Sequence, residues 1–450
     1  MMNKFLAIIL IMFILVGFSG EINAIENSEV LGQWEGNIDI SGQLLNIILK
    51  ITERNGELSG TLDIPQQGAF GIPIAEIKIN GEEIVMKVPQ LQGNVEFNGK
   101  INEDKMEGDF HQSGYNFPFK LNRVSKKVVS SKEINYAVGE YEIKELELTV
   151  PVKGGNIFGT LAKPENVNED IPLVILVAGS GPTDRNGNNF LLNKEINTLK
   201  EIAHYLSSNG IMTYRYDKRG VGESTELTNE DDPTFLDYRD DLITIIEYLD
   251  NYPQVKKDSV YVLGHSEGSM LTIMAAEKGA DLDGLILVAG SGHTHGETLK
   301  TQITAIAEQY EKAGMVDVKK EMITALDDLY KAVRTDSNFD INEYNIPDKM
   351  KDTYLSIANQ PKFVKDWLDV DPVSLLKKVN KPVCIIQGTN DGRVGVNDAE
   401  MLASAVPEQK LELHILEGVN HFLKEAETDN PAYEEQMPAN LLKIIYNFVN

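Results

Sequence analysis

Six short apolar runs, at 173–178, 211–216, 259–263, 285–289, 383–387 and 411–416, recur between amphipathic stretches such as 193–207 and 236–250. A strand buried on both faces reads as a continuous apolar run, and parallel neighbours need a helical crossover between them. The pattern predicts an α/β fold over 140–450, a mostly parallel sheet flanked by helices. One long interruption, 293–370, carries helical periodicity at 299–313 and 318–333 and is expected to be a helical cap inserted between two strands.

The segment before it differs in kind. Residues 25–125 alternate apolar and polar positions in short runs, among them 45–51, 57–64, 74–79 and 83–88, and Asn55-Gly56, Asn80-Gly81 and Asn98-Gly99 are expected as turns. About eight such strands make a small all-β barrel or sandwich domain, with Trp34 in its core. A linker is expected at 126–139.

At the N-terminus, Lys4 precedes an apolar run at 5–18, and a short stretch then leads to Ala24. As a helix that run spans only about 20 Å, short of the roughly 30 Å hydrocarbon core. A secretory signal peptide at 1–24 is therefore expected, making the protein secreted or extracytoplasmic, or membrane-anchored if the signal stays uncleaved. The 42 Lys+Arg against 69 Asp+Glu leave a net charge of −27, which repels phosphate backbones and argues against a nucleic-acid partner. Cys384 is the single cysteine, so there is no intramolecular disulfide and no thiolate zinc site.

Chemistry concentrates at three turns. Gly264-His265-Ser266-Glu267-Gly268 lies between the run ending at Leu263 and a helical stretch beginning near Met270. This is the context of a Gly-x-Ser-x-Gly elbow, in which a sharp strand-to-helix turn exposes the serine and the helix N-terminus faces developing negative charge. A serine nucleophile needs a base and a group to orient it. Asp391 follows the run 383–387 and His421 follows the run 411–416, both at the carboxyl end of a strand, where open α/β sheets assemble their sites. The order serine, acid, histidine is then complete; Asp369, Asp371 and Glu417 are the competing acids.

His111, His204, His265 and His414 read as structural, whereas His293 and His295, with Glu297 nearby, form a His-x-His pair read as pocket lining or loop structure in preference to a metal site. The oxyanion requires two preorganised backbone donors. One is expected from the amide of Glu267 and the other from Ser180, with Gly181 as alternative, in the loop Gly179-Ser180-Gly181-Pro182-Thr183-Asp184-Arg185-Asn186-Gly187. Asp184 and Arg185 are expected either to hold this loop as a local ion pair or to touch substrate.

Together with the turn Tyr216-Asp217-Lys218-Arg219-Gly220-Val221-Gly222-Glu223-Ser224, these motifs resemble the α/β-hydrolase superfamily. More narrowly they resemble secreted bacterial carboxylesterases that carry a Gly-Ser-Gly-Pro-Thr-Asp-Arg loop and an extra N-terminal domain. The resemblance implies a triad of Ser266, Asp391 and His421 and hydrolysis of short-chain acyl esters, small molecules, without a cofactor or metal. Ala178 stands where many members place a histidine before the oxyanion-loop glycine, and the turn 216–224 reads as scaffold. A serine peptidase or amidase of the same fold is the alternative, and a catalytically silent surface binding protein is the alternative of another class.

Overall fold

The computed structural model describes residues 30–40, 42–54, 57–64, 69–91, 93, 95–123, 139–189, 195–226, 233–426 and 436–450. The expected signal, the turn at Asn55-Gly56 and nearly all of the expected linker lie outside these residues. The chain divides into two compact units, Met1–Ser130 and Ser131–Asn450.

The first unit contains nine strands among the described residues: β1 (Gly32–Ile40), β2 (Gln43–Arg54), β3 (Glu57–Ile64), β4 (Ala69–Ile74), β5 (Glu76–Asn80), β6 (Glu83–Val88), β7 (Val95–Asn102), β8 (Lys105–Gln112) and β9 (Tyr115–Arg123). They pair in the order β4-β3-β2-β1-β9-β8-β7-β6-β5, every pair antiparallel. The two end strands, β4 and β5, are consecutive in the chain and meet at Ala75, so the sheet wraps into a nearly closed barrel. Alternation along each strand fills its interior: Trp34, Leu49, Ile84, Phe97 and Phe119 are fully buried. Phe97 meets Phe119 edge-on at 5.3 Å, and the Trp34 indole donates to the Val30 carbonyl at 2.9 Å.

One expected turn is corrected. Asn98-Gly99 lies inside β7, and the chain reverses instead at Glu103, whose φ is +52°. The glycine serves packing, since a Cβ on Gly99 would stand 2.8 Å from the Phe119 ring.

The second unit begins with β10 (Ile143–Val152) and β11 (Gly155–Pro164), two strands absent from the expected set. Both run antiparallel; the outer one is largely exposed, and in the inner, mostly buried one Gly159 and Thr160 break the apolar run. Then come β12 (Ile171–Val177), α1 (Thr198–Ser208), β13 (Met212–Tyr216), α2 (Phe235–Asp250), β14 (Val255–His265), α3 (Glu267–Glu277) and β15 (Gly284–Val288). The cap follows as α4 (His295–Lys312), α5 (Val318–Thr335), α6 (Asp348–Ala358), α7 (Pro361–Leu368) and the short α8 (Pro372–Leu376). The sheet resumes with β16 (Val383–Gly388), α9 (Val396–Ala403), β17 (Leu411–Leu416) and α10 (Ala439–Val449).

Strand order is β10-β11-β13-β12-β14-β15-β16-β17, with every pair from β13 to β17 parallel. This is the expected α/β-hydrolase architecture. Helices bury one sheet face against Leu242, Ile245 and Leu271, and the other against Leu199, Ile202 and Ile445. The cap has its own core of Met322, Leu326, Leu329, Tyr354 and Leu368.

Candidate active site

The carboxyl ends of β14, β16 and β17 bring together the three residues singled out by the sequence. Ser266 follows β14 directly and adopts φ +56°, ψ −119°, a strained conformation for a residue with a side chain. The glycines two residues to either side permit it. A Cβ on Gly264 would lie 2.2 Å from the Gly268 carbonyl oxygen, and one on Gly268 would lie 2.3 Å from that of Val177. Helix α3 can therefore start against the sheet, and the Glu267 amide sits in its first turn, where backbone N–H groups lack an intrahelical acceptor.

The Ser266 hydroxyl donates to His421 Nε2 at 3.1 Å, and His421 Nδ1–H donates to Asp391 Oδ2 at 2.8 Å. Both His421 and Asp391 are buried. Burial alone would raise the Asp391 pKa, but the His421 imidazole and the amides of Val394 and Arg393 outweigh it and hold the carboxyl below its ordinary value. Those amides donate to Oδ1, each at 2.9 Å, while Gln387 Nε2 donates to Oδ2 at 3.1 Å. Gln387, at the end of β16, is a contributor the sequence reading missed.

His265 is a second addition. Its Nε2–H donates to the main-chain carbonyl of His421 at 2.8 Å. Burial and the neighbouring His421 push its pKa down to about 4, so it is the neutral donor at neutral pH. Asn420 tightens the same turn, its side-chain oxygen accepting from the amides of Phe422 and Lys424.

The loop after β12 runs beside the nucleophile: a Cβ on Gly179 would be 3.2 Å from the Ser266 Cβ. Asp184 and Arg185 do not pair with one another, which corrects the local ion pair expected of them. Asp184 accepts from the amides of Asn186 and Asn188 and closes the loop internally. Arg185 reaches across to Asp217, with donors at 2.6 and 3.0 Å to Oδ2, and also to Glu147 and Glu223. Side chains of adjacent residues in a tight loop have little freedom to pair with one another, whereas Asp217 offers a buried acceptor from the neighbouring strand end.

The remaining candidates disperse. Asp369 pairs with Arg334, Asp371 caps α8, and Glu417 is exposed. His111 hydrogen-bonds Asn116, His204 bonds Glu145, and His414 bonds Glu412. The His-x-His pair separates: His293 faces Glu297 at the surface, while buried His295 stacks on Trp367 at 4.6 Å. Among the described residues, Cys384, Glu412 and His414 place ligand atoms within 4.8 Å of one another. Burial pushes the Cys384 thiol up, which opposes the thiolate a metal would need.

Residues 192–429, just over half of the chain, match the family Hydrolase_4, described as serine aminopeptidase, S33. Esterase EstD of Thermotoga maritima is 27% identical over 336 residues, covering 69% of this chain and 72% of that protein. Among solved structures, Est1E from Butyrivibrio proteoclasticus is 16% identical, covering 67% of this chain and 95% of its own, with a TM-score of 0.41. The Pyrococcus furiosus esterase PF2001 is 14% identical, covering 65% and 86%, with a TM-score of 0.42. The sequence match spans α1 to the turn that carries His421, with the elbow and Asp391 inside it, and the chain therefore belongs to the Hydrolase_4 family of serine hydrolases.

Proposed function

We propose that the protein is a serine carboxylesterase that hydrolyses short-chain acyl esters through an acyl-enzyme on Ser266. The observation that carries this reading is the unbroken hydrogen-bonded chain from the Ser266 hydroxyl through His421 to Asp391. Asp391 fixes the tautomer that leaves Nε2 free to take the serine proton as Oγ attacks the acyl carbon. The amides of Glu267 and Ser180 receive the oxyanion, and the imidazolium returns the proton to the departing alcohol. Water then repeats the sequence on the acyl-enzyme. Nucleophile, base and orienting acid all come from side chains, so no cofactor enters these steps.

The family description and the resemblance to EstD favour different leaving groups. An aminopeptidase needs an unengaged carboxylate to hold a free α-ammonium. Glu267, the acid beside the nucleophile, is already held by Lys218 at 3.4 Å and by the Trp367 indole at 3.0 Å. This favours the ester. The polar composition of the cap supports short acyl chains, and the apolar run at 5–18 supports export under a cleaved signal.

A fluorophosphonate probe with peptide mass spectrometry, run beside a short-chain aryl ester, a long-chain aryl ester and an aryl amide, tests the reading. Labelling at Ser266 with fastest turnover of the short ester is expected, and Ser266→Ala should lower kcat by about 10⁴ to 10⁶. Faster turnover of the amide would replace the esterase by a peptidase or amidase. A folded protein that takes no label would point to the silent binding protein.

A further inference from the structure

We propose that Lys218 is a positioning residue for the oxyanion site, acting through the peptide bond between Gly179 and Ser180. The inference rests on the serine-esterase reading and extends it to a residue that the sequence assigned to scaffold.

The Lys218 side chain is 2% exposed, and its ammonium donates to the Gly179 carbonyl oxygen at 2.5 Å. That oxygen and the Ser180 N–H belong to one planar trans peptide unit, in which the two groups point in opposite directions. Holding the oxygen therefore sets where the Ser180 N–H points. The following peptide is held as well, because the Thr183 hydroxyl donates to the Ser180 carbonyl at 2.8 Å. The unit lies against the nucleophile, as the 3.2 Å separation between a Gly179 Cβ and the Ser266 Cβ requires. Burial pulls the Lys218 pKa down against the opposing pull of Glu267, and in either protonation state an Nζ donor on the carbonyl oxygen polarises the amide and strengthens its N–H as a donor.

The remaining contacts of Lys218 lead to the other oxyanion donor. Its Nζ lies 3.4 Å from Glu267 Oε1 and 5.6 Å from the centroid of the Tyr238 ring. The backbone amide of Glu267 is the second donor, so one buried ion pair joins the side chain that holds the Gly179–Ser180 peptide to the residue that supplies the second donor. Glu267 Oε2 accepts from the Trp367 indole on α7, and His295 at the start of α4 stacks behind that ring. The cap is thereby fastened to the same ion pair. Burying a lysine is costly, and a turn that needed only filling would be better served by an apolar side chain.

Losing a direct oxyanion donor costs about 10² to 10³ in kcat, and losing the group that aims one should cost about 10- to 100-fold. Lys218→Met is therefore expected to lower kcat on a short-chain aryl ester by that factor, with KM within about threefold of wild type. Affinity for a trifluoromethyl ketone, which forms a tetrahedral adduct on the serine, should fall in proportion to kcat/KM. A purely structural lysine would lower melting temperature or raise KM and leave kcat and the kcat-matched loss of ketone affinity untouched; that result overturns the proposal. If the Met variant does not fold, Lys218→Gln, polar but too short to reach Gly179, is read by the same two quantities. A wild-type enzyme that turns over ester while either folded variant keeps its kcat sinks this inference alone. A wild-type enzyme with neither turnover nor Ser266 labelling sinks it together with the esterase reading.

Discussion

His265 holds His421 from behind: its Nε2–H donates to the main-chain carbonyl of His421 at 2.8 Å, one residue before the nucleophile that the imidazole of His421 contacts. The elbow thus anchors the backbone of the base as well as presenting the serine. Either protonation state can make this contact, since an imidazolium also carries Nε2–H, and it is burial that keeps His265 neutral. Burial depresses its pKa from 6.5 to about 4, with His421 and Arg393 acting in the same direction and Asp391 and the His421 carbonyl opposing.

The sign of the resulting pH dependence follows from the two states. Unfolded, His265 binds its proton near pH 6.5; folded, it does so only near 4. Between these values the unfolded chain holds the extra proton, so this contribution to stability is whole above the unfolded value and is lost as pH falls through the folded one. The difference corresponds to at most about 3 kcal/mol. His265→Gln keeps a side-chain donor and does not titrate. Urea unfolding across this range should show a shallower acid slope in the variant, and identical slopes would rule the linkage out.

Asp391→Asn tests the orienting acid without changing its size. The carboxamide can present its NH₂ group to His421 Nδ1 and stabilise the tautomer that carries its proton on Nε2, where it cannot accept from Ser266. Kcat should fall by about 10⁴ with the fold intact, as found for a triad aspartate elsewhere. Ester turnover within about tenfold of wild type would show that another acid orients His421.

Arg185 ties the loop after β12 to the sheet through Asp217, and both side chains are buried. Arg185→Met leaves the Asp217 carboxylate in the interior without its cation, a change that typically costs about 3 to 5 kcal/mol. The exposed partners Glu147 and Glu223 contribute little to that figure. Denaturant unfolding should show a shifted midpoint with an unchanged slope, and kcat should fall as the loop loosens. An unshifted midpoint would mean that the loop is held by its internal Asp184 contacts alone.

The parts of the site legible in the sequence are those that follow a strand within a few residues. Ser266, Asp391 and His421 each stand in a short turn directly after an apolar run, so the period that predicts the strand also places the side chain. Lys218 also follows a strand, two residues after β13, but nothing in its turn distinguishes a lysine aimed at a backbone carbonyl from scaffold, and Trp367 lies in the cap, after no strand. They meet Gly179 and Glu267 across 39 and 100 residues of sequence, and only the tertiary fold brings them together. The same holds for Arg185, whose partner Asp217 belongs to the turn after β13 and not to its own loop. In the barrel, Asn98-Gly99 misled because the dipeptide that favours a hairpin turn also admits an aromatic ring to a strand interior. β10 escaped because an exposed antiparallel edge alternates instead of running apolar, and β11 because Gly159 and Thr160 interrupt its apolar residues.

Gly268→Ala probes how closely the nucleophile depends on the packing of α3 against β12. The added methyl would stand 2.3 Å from the Val177 carbonyl oxygen and 3.0 Å from that of Ala178, both backbone atoms that cannot rotate away. The helix must move off the strand, and the Glu267 amide and Ser266 hydroxyl move with it. Overpacking of this kind costs about 1 to 3 kcal/mol of stability. The catalytic loss should be larger in proportion, about 10²-fold in kcat, because a displacement of about 1 Å is enough to spoil attack geometry. Steady-state kinetics and thermal unfolding on the same preparation separate the two effects. A variant that is destabilised but keeps its kcat would show that the elbow tolerates movement of its helix, and the tight placement of Ser266 would then rest on β14 alone.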